Sequence, residues 1–165
     1  MISIWLCPDY ENELYLQNII NNLSHNYNSP IFSPHCTLVS GLKSDKYELE
    51  NIIDISIRNV EPIIVKSNRI GFANILWKTV FIELINNKKL KAFQNYFYMY
   101  IKSNREYKFD PHISLMYKII AENTKKEIVN SLNLKNSFKM NKIAAVRTGQ
   151  NVSEWEIIVE REFYA

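Results

Sequence analysis

The chain has 165 residues and a mass of 19.5 kDa, enough for one domain around a shared core and too little for two independent ones. With 47% hydrophobic and 22% charged residues, its composition is globular and excludes wholesale disorder. A formal charge of +3 permits an anionic ligand but does not supply the basic stripe of a long nucleic-acid groove.

Residues 2–7 read as an apolar strand closed by Pro8, with no basic flank of a secretion signal before it. A helix is expected from Asp9 to about His25, because Leu16, Ile19, Ile20 and Leu23 recur at helical spacing behind an acidic first turn. Asn26 to Pro34 has turn chemistry, and residues 35–40 form a short strand that Gly41 ends. A helix over about 47–57 and strands over 62–72 and 78–85 follow. Leu90, Phe93, Phe97, Tyr100 and Ile101 share one face of a helix over about 88–102. Strand 112–117 begins after Pro111, and Thr124 with Glu127 has the spacing of a capping box at a helix start. Strands over about 138–148 and 153–163 finish the chain. The order βαβαββαβαββ is an α+β pattern.

Two cysteines, Cys7 and Cys36, are too few for a disulfide framework or a zinc site and point to a reduced, cytosolic protein. No stretch approaches the roughly 18 apolar residues of a membrane span.

The chain echoes itself. Strand, helix and Pro34-His35-Cys36-Thr37-Leu38 recur as strand, helix and Pro111-His112-Ile113-Ser114-Leu115, about half the chain later. The repetition predicts two similar lobes, each lending one strand to a shared cleft. Strand alternation puts His35 with Thr37 on one face and His112 with Ser114 on one face, backed by apolar neighbours. Two imidazoles and two hydroxyls suit phosphoester hydrolysis without a metal. A neutral histidine takes a proton from water, and a protonated one gives a proton to the departing oxygen. The hydroxyls donate to the non-bridging phosphate oxygens.

These paired His-x-(Thr/Ser) motifs resemble those of the two-histidine (2H) phosphoesterases, and the chain is most similar to the cyclic phosphodiesterases of the plant and yeast type. Phe32-Ser33-Pro34-His35-Cys36-Thr37, the run Pro111 to Tyr117, and an opening strand with Trp5 before Pro8 carry the resemblance over essentially the whole length. It implies a bilobal α+β fold of two pseudo-symmetric lobes with antiparallel sheets around a central cleft. It implies a metal-independent, cofactor-free hydrolase that opens a nucleotide-derived cyclic phosphate, either ADP-ribose 1″,2″-cyclic phosphate or a nucleoside 2′,3′-cyclic phosphate. His35, Thr37, His112 and Ser114 match the catalytic positions, and Trp5 and Tyr117 match substrate-binding ones.

Inspection of the residues bears on the last two. Trp5 shares its strand face with Ser3 and Cys7 and is expected to form a wall on which a base stacks. Strict alternation puts Tyr117 opposite His112, so the strand must end or bulge before it. Lys78 and Arg147 read as solvated surface groups, His25 as an exposed helix end, Cys36 as core and Asp110 as a turn residue. No Asp, Glu or Cys cluster with ligand spacing accompanies the two histidines. A monomer acting on a small nucleotide is expected. The alternatives are a 2H enzyme for cyclic oligonucleotides or RNA ends, and a nucleotide-binding module without turnover.

Overall fold

The structure, a computed structural model, describes residues 1–101 and 108–163. Its elements are β1 (Ile2–Pro8), α1 (Tyr10–Tyr27), β2 (Cys36–Leu42), α2 (Lys46–Ser56), β3 (Ile63–Phe72) and β4 (Val80–Leu84). They continue as α3 (Lys88–Tyr98), β5 (His112–Met116), α4 (Glu122–Ser131), β6 (Ser137–Arg147) and β7 (Glu156–Glu162). Single 3₁₀ turns, Leu76–Lys78 and Val152–Glu154, precede β4 and β7. The α+β order expected from the sequence is the order observed.

Local chemistry explains most boundaries. Asp9 caps α1 by accepting from the Asn12 amide at 3.0 Å, and α1 ends at Asn28 in the left-handed region. Asp45 and Asn87 cap α2 and α3 in the same way. The expected end of α3 at residue 102 lies outside the described residues. The capping box at Thr124 does not form. Helix α4 starts earlier, at Glu122 after Ala121, with no side-chain cap. Packing sets that start instead, because Lys125 and Ile128 are both buried under β3.

All strand pairings are antiparallel, in the order β1-β2-β5-β4-β3-β6-β7, and β6 returns to pair with β1. The strands therefore close a ring of six with β7 on its flank. Strand β6 serves both sides: Ser137 to Met140 pair with β3, and Met140 to Arg147 pair with β1. The lobes are consequently not the two halves of the sequence. One is β2-β1-β6-β7, and the other is β5-β4-β3 with the first part of β6. The reason is that β3 has no free partner edge in its own half, and the long β6 supplies one.

Opposite the shared β6, the lobes meet where β2 pairs with β5 at one residue pair, Cys36 opposite Ile113, which are the residues that follow the two histidines. Both are fully buried, as are Leu38 and Leu115. Each buried Leu or Ile contributes roughly 1.5–3 kcal/mol to holding its strand on the core. Among the described residues no helix is long and apolar enough to cross a membrane.

Strand β2 is not regular. Its register against β1 shifts between Ile4 and Trp5 and again between Ile2 and Ser3. Gly41, at φ +98°, is the extra residue of the second shift, so β2 continues to Leu42 rather than ending at the glycine.

Candidate active site

The Cys36–Ile113 pair aims both core residues inward, so their neighbours on each strand face the opposite side. Continuing the antiparallel register sets His35 across from Ser114 and Thr37 across from His112. All four line one cleft of about 250 Å³.

Each imidazole is held the same way. His35 Nδ1 donates to the Ser33 carbonyl at 2.7 Å, and His112 Nδ1 donates to the Asp110 carbonyl at 2.7 Å. A carbonyl only accepts, so both rings carry their proton on Nδ1 when neutral and keep the Nε2 lone pair for the cleft. A proline stands between donor and acceptor in both cases, and its fixed φ helps bring the carbonyl back to the ring. Asp110, expected as a turn residue, is thus also the backbone anchor of His112.

Burial lowers the basicity of both rings. His35 is pulled down to about 4, chiefly by desolvation and secondarily by His112 nearby, against the opposing effect of the Ser33 carbonyl. His112, half-buried, is also lowered, first by desolvation and then by Lys78, while Asp110 opposes the shift. Lys78 is not a free surface lysine. It forms an ion pair with Asp110 and lies over the Phe81 ring, 4.2 Å from its centroid, and that ring meets His112 edge-on at 5.7 Å.

The hydroxyls differ. Ser114 Oγ donates to the Trp77 carbonyl at 2.9 Å. Thr37 Oγ1 makes no hydrogen bond among the described residues. Strand β5 ends at Met116, which frees Tyr117 from strict alternation and lets it line the cleft. The Tyr117 ring is buried, stacked on Phe32 at 3.7 Å.

Trp5 lines the cleft but is not an open wall. Only 5% exposed, it lies face to face with His35, with 3.6 Å between centroids and 9° between planes. Two tryptophans that the sequence pattern did not single out supply the aromatic surface instead. Trp77 is 38% exposed on the turn before β4, and Trp155, after the second 3₁₀ turn, donates its Nε1 proton to the Gly149 carbonyl. Their rings are 5.6 Å apart beside the cleft. A tryptophan in a short turn between strands was the available signal, since such a ring has no strand or helix face to fill.

The remaining candidates lie where their chemistry is spent elsewhere. Arg147 pairs with Glu156, and His25 is exposed in the last turn of α1. Cys7 and Cys36 are buried free thiols. Among the described residues no three His, Cys, Asp or Glu side chains come together as a metal ion requires.

With this geometry in hand, likeness to known proteins is informative. Residues 1–163 match the family described as cyclic phosphodiesterase-like protein. A cyclic phosphodiesterase of Arabidopsis thaliana is 19% identical over 165 residues, spanning 94% of this chain and 91% of its own. TT0787 of Thermus thermophilus superposes with a TM-score of 0.65 at 11% identity, covering 98% of this chain and 97% of that one. LigT of E. coli complexed with 3′-AMP superposes at 0.59 and 10% identity, covering 99% and 98%. LigT has also been solved with NADP+ and with ATP. At these identities the structural likeness speaks for the fold alone.

Proposed function

Since this chain belongs to the cyclic phosphodiesterase-like family of two-histidine phosphoesterases, we propose that its substrate is a nucleotide-derived cyclic phosphate opened by its two histidines. The enzyme is a phosphoric diester hydrolase. The substrate is ADP-ribose 1″,2″-cyclic phosphate or a nucleoside 2′,3′-cyclic phosphate, and the product is the phosphomonoester with one sugar hydroxyl freed. The nucleotide complexes of LigT support a nucleotide ligand.

One observation carries the mechanism: two Nδ1-anchored imidazoles aim their Nε2 atoms into one cleft from strands that meet at a single residue pair. His35, kept neutral by deep burial, takes a proton from water as the water oxygen bonds to phosphorus. His112, less buried and next to the Asp110 carboxylate, gives its proton to the ring oxygen as the P–O bond breaks. The anionic phosphate raises the proton affinity of both rings once bound, which loads His112 for that step. Thr37, whose hydroxyl is uncommitted, donates to a non-bridging oxygen where charge builds, and Ser114 does so once its single proton turns from the Trp77 carbonyl to the bound phosphate.

A panel of cyclic phosphates incubated with the protein, with and without EDTA, tests this reading. Conversion of ADP-ribose or nucleoside cyclic phosphates to monoesters, unchanged by chelator, is the expected result. Loss with EDTA and recovery with zinc or manganese sinks the mechanism.

A further inference from the structure

Helix α4 buries a lysine where an apolar residue would serve the core. Lys125 is 1% exposed, on the face of α4 that packs under β3 with Ile128. Burying an ammonium is costly unless its protons find acceptors. Among the described residues it forms no ion pair, and Glu122, the carboxylate that feels its charge, is paired with Lys126 at 2.7 Å. Its protons go instead to the chain that leaves β3. Lys125 Nζ donates to the Ala73 carbonyl at 3.4 Å and to the Asn74 side-chain oxygen, and it lies over the Phe72 ring, 5.6 Å from its centroid.

Those acceptors root the loop of residues 73–79. The Ala73 amide donates to the Thr79 carbonyl at 3.1 Å and closes the neck of the loop. The buried Thr79 hydroxyl donates to the Ile75 carbonyl at 3.1 Å and ties its interior.

The tip of the same loop reaches the cleft. The Trp77 ring lines it, the Trp77 carbonyl takes the Ser114 proton at 2.9 Å, and Lys78 pairs with Asp110 behind His112. Ile75, Leu76 and Trp77 are all exposed, and the Trp77 ring meets Tyr117 edge-on and Trp155 at a tilt, without a stacked partner. A tip with so little packing of its own takes its orientation from its root, in the way a scaffold positions a functional loop.

We propose that Lys125 is a positioning residue for the active site, holding the 73–79 loop from α4 so that Trp77 faces the cleft and Lys78 stands beside Asp110. The proposal rests on the cyclic-phosphate reading above only where it concerns substrate; its effect on His112 is a property of the free protein.

Asn74, exposed at the root, allows a test that spares the core. Asn74→Ala removes one acceptor without touching α4, and Asn74→Asp keeps an acceptor for Lys125. Lys125→Met removes both bonds while keeping most of the side-chain volume. Ile128→Val, which loosens α4 without touching the loop, is the control. KM and kcat for a nucleoside 2′,3′-cyclic phosphate are measured on all four, with the His112 proton resonance followed through a pH titration of the free protein. Lys125→Met and Asn74→Ala are expected to raise KM about 3- to 30-fold, with kcat changed less than about 3-fold, as Trp77 leaves its place. Both should raise the His112 pKa, because Lys78 lowers it and moves off with the loop. Asn74→Asp should keep the wild-type KM, and Ile128→Val should keep both KM and the His112 titration. If Lys125→Met fails to fold, Asn74→Ala carries the same expectation. An unmoved KM and an unmoved His112 in these two variants overturn the proposal. So does Asn74→Asp matching Asn74→Ala in KM, or Ile128→Val reproducing the Lys125→Met changes. Where no cyclic phosphate is turned over, the hydrolytic reading fails, and the His112 titration alone still decides whether Lys125 holds the loop.

Discussion

Trp5 and His35 lie face to face, 3.6 Å apart and 9° from parallel, with the edge of Trp155 5.5 Å from the Trp5 ring. Trp5 is therefore the floor on which the His35 imidazole rests. Its own hydrogen-bonded partner strand sets the contact, because Trp5 pairs directly with Thr37, two residues along from His35.

A floor acts on the chemical step. Trp5→Ala is expected to lower kcat by about 10-fold or more with a smaller change in KM, since a loosened imidazole loses near-attack geometry. Trp5→Phe, which keeps a stacking face, should recover part of kcat. A raised KM with kcat unchanged returns Trp5 to the role of a substrate wall.

In the proposed mechanism proton transfer divides between the histidines. His35→Ala and His112→Ala should each lower kcat by roughly 10²–10⁴. Thr37→Ala and Ser114→Ala should cost up to roughly 10²–10³, as for lost oxyanion donors. A phenolic leaving group needs no proton, so catechol cyclic phosphate should largely rescue His112→Ala and not His35→Ala. Rescue of the opposite variant exchanges the two roles.

Acid should act on both activity and fold. The proposed mechanism needs His35 neutral and His112 protonated, and both lie below the ordinary histidine value of 6.5, so kcat/KM should peak on the acid side of pH 6.5. For stability, a histidine lowered from 6.5 to about 4 in the folded protein binds its proton preferentially in the unfolded chain between those values. Stability is then full above pH 6.5 and falls as pH drops toward 4, by roughly 3 kcal/mol from His35, with His112 acting in the same direction. Urea unfolding at pH 7 and pH 4.5 measures it, and His35→Gln should flatten the difference.

The Lys78–Asp110 pair tunes His112 from behind. Lys78→Gln removes a charge that lowers His112, so its pKa should rise and the alkaline limb of kcat/KM should move up. Asp110→Asn should move it down. Histidine proton resonances followed through a pH titration report both, and an unmoved His112 in either variant rejects the coupling.

Recognition should centre on Trp77. Its exposed ring beside the cleft is expected to stack on a base, a contact worth roughly 1–3 kcal/mol. Trp77→Ala should raise KM by about 5- to 150-fold with kcat little changed, and the salt dependence should be shallow because few phosphates are bound. A steep salt slope with preference for longer RNA favours a polynucleotide substrate.

Local signals in the chain account for the elements and for the four polar side chains at the centre. Helical spacing in α1 and α3, the prolines at 34 and 111, and the repeated His-x-(Thr/Ser) pattern are local signals, and each survives folding because alternation on β2 and β5 puts histidine and hydroxyl on one face. Tyr117 was legible as a condition, that β5 end before it, and β5 ends at Met116.

The rest depends on which strand lies beside which, and no local pattern encodes that. The lobes cross the midpoint of the chain since β6 pairs with both β3 and β1. Ser40 joins the cleft through a bulge that periodicity cannot register, and Trp5 stacks on an imidazole 30 residues away in sequence. Trp77 and Trp155 meet from turns that share no pattern, and Lys78 finds Asp110 across two strands. Burial, which sets the proton affinity of His35, is a property of the assembled core and of no single segment.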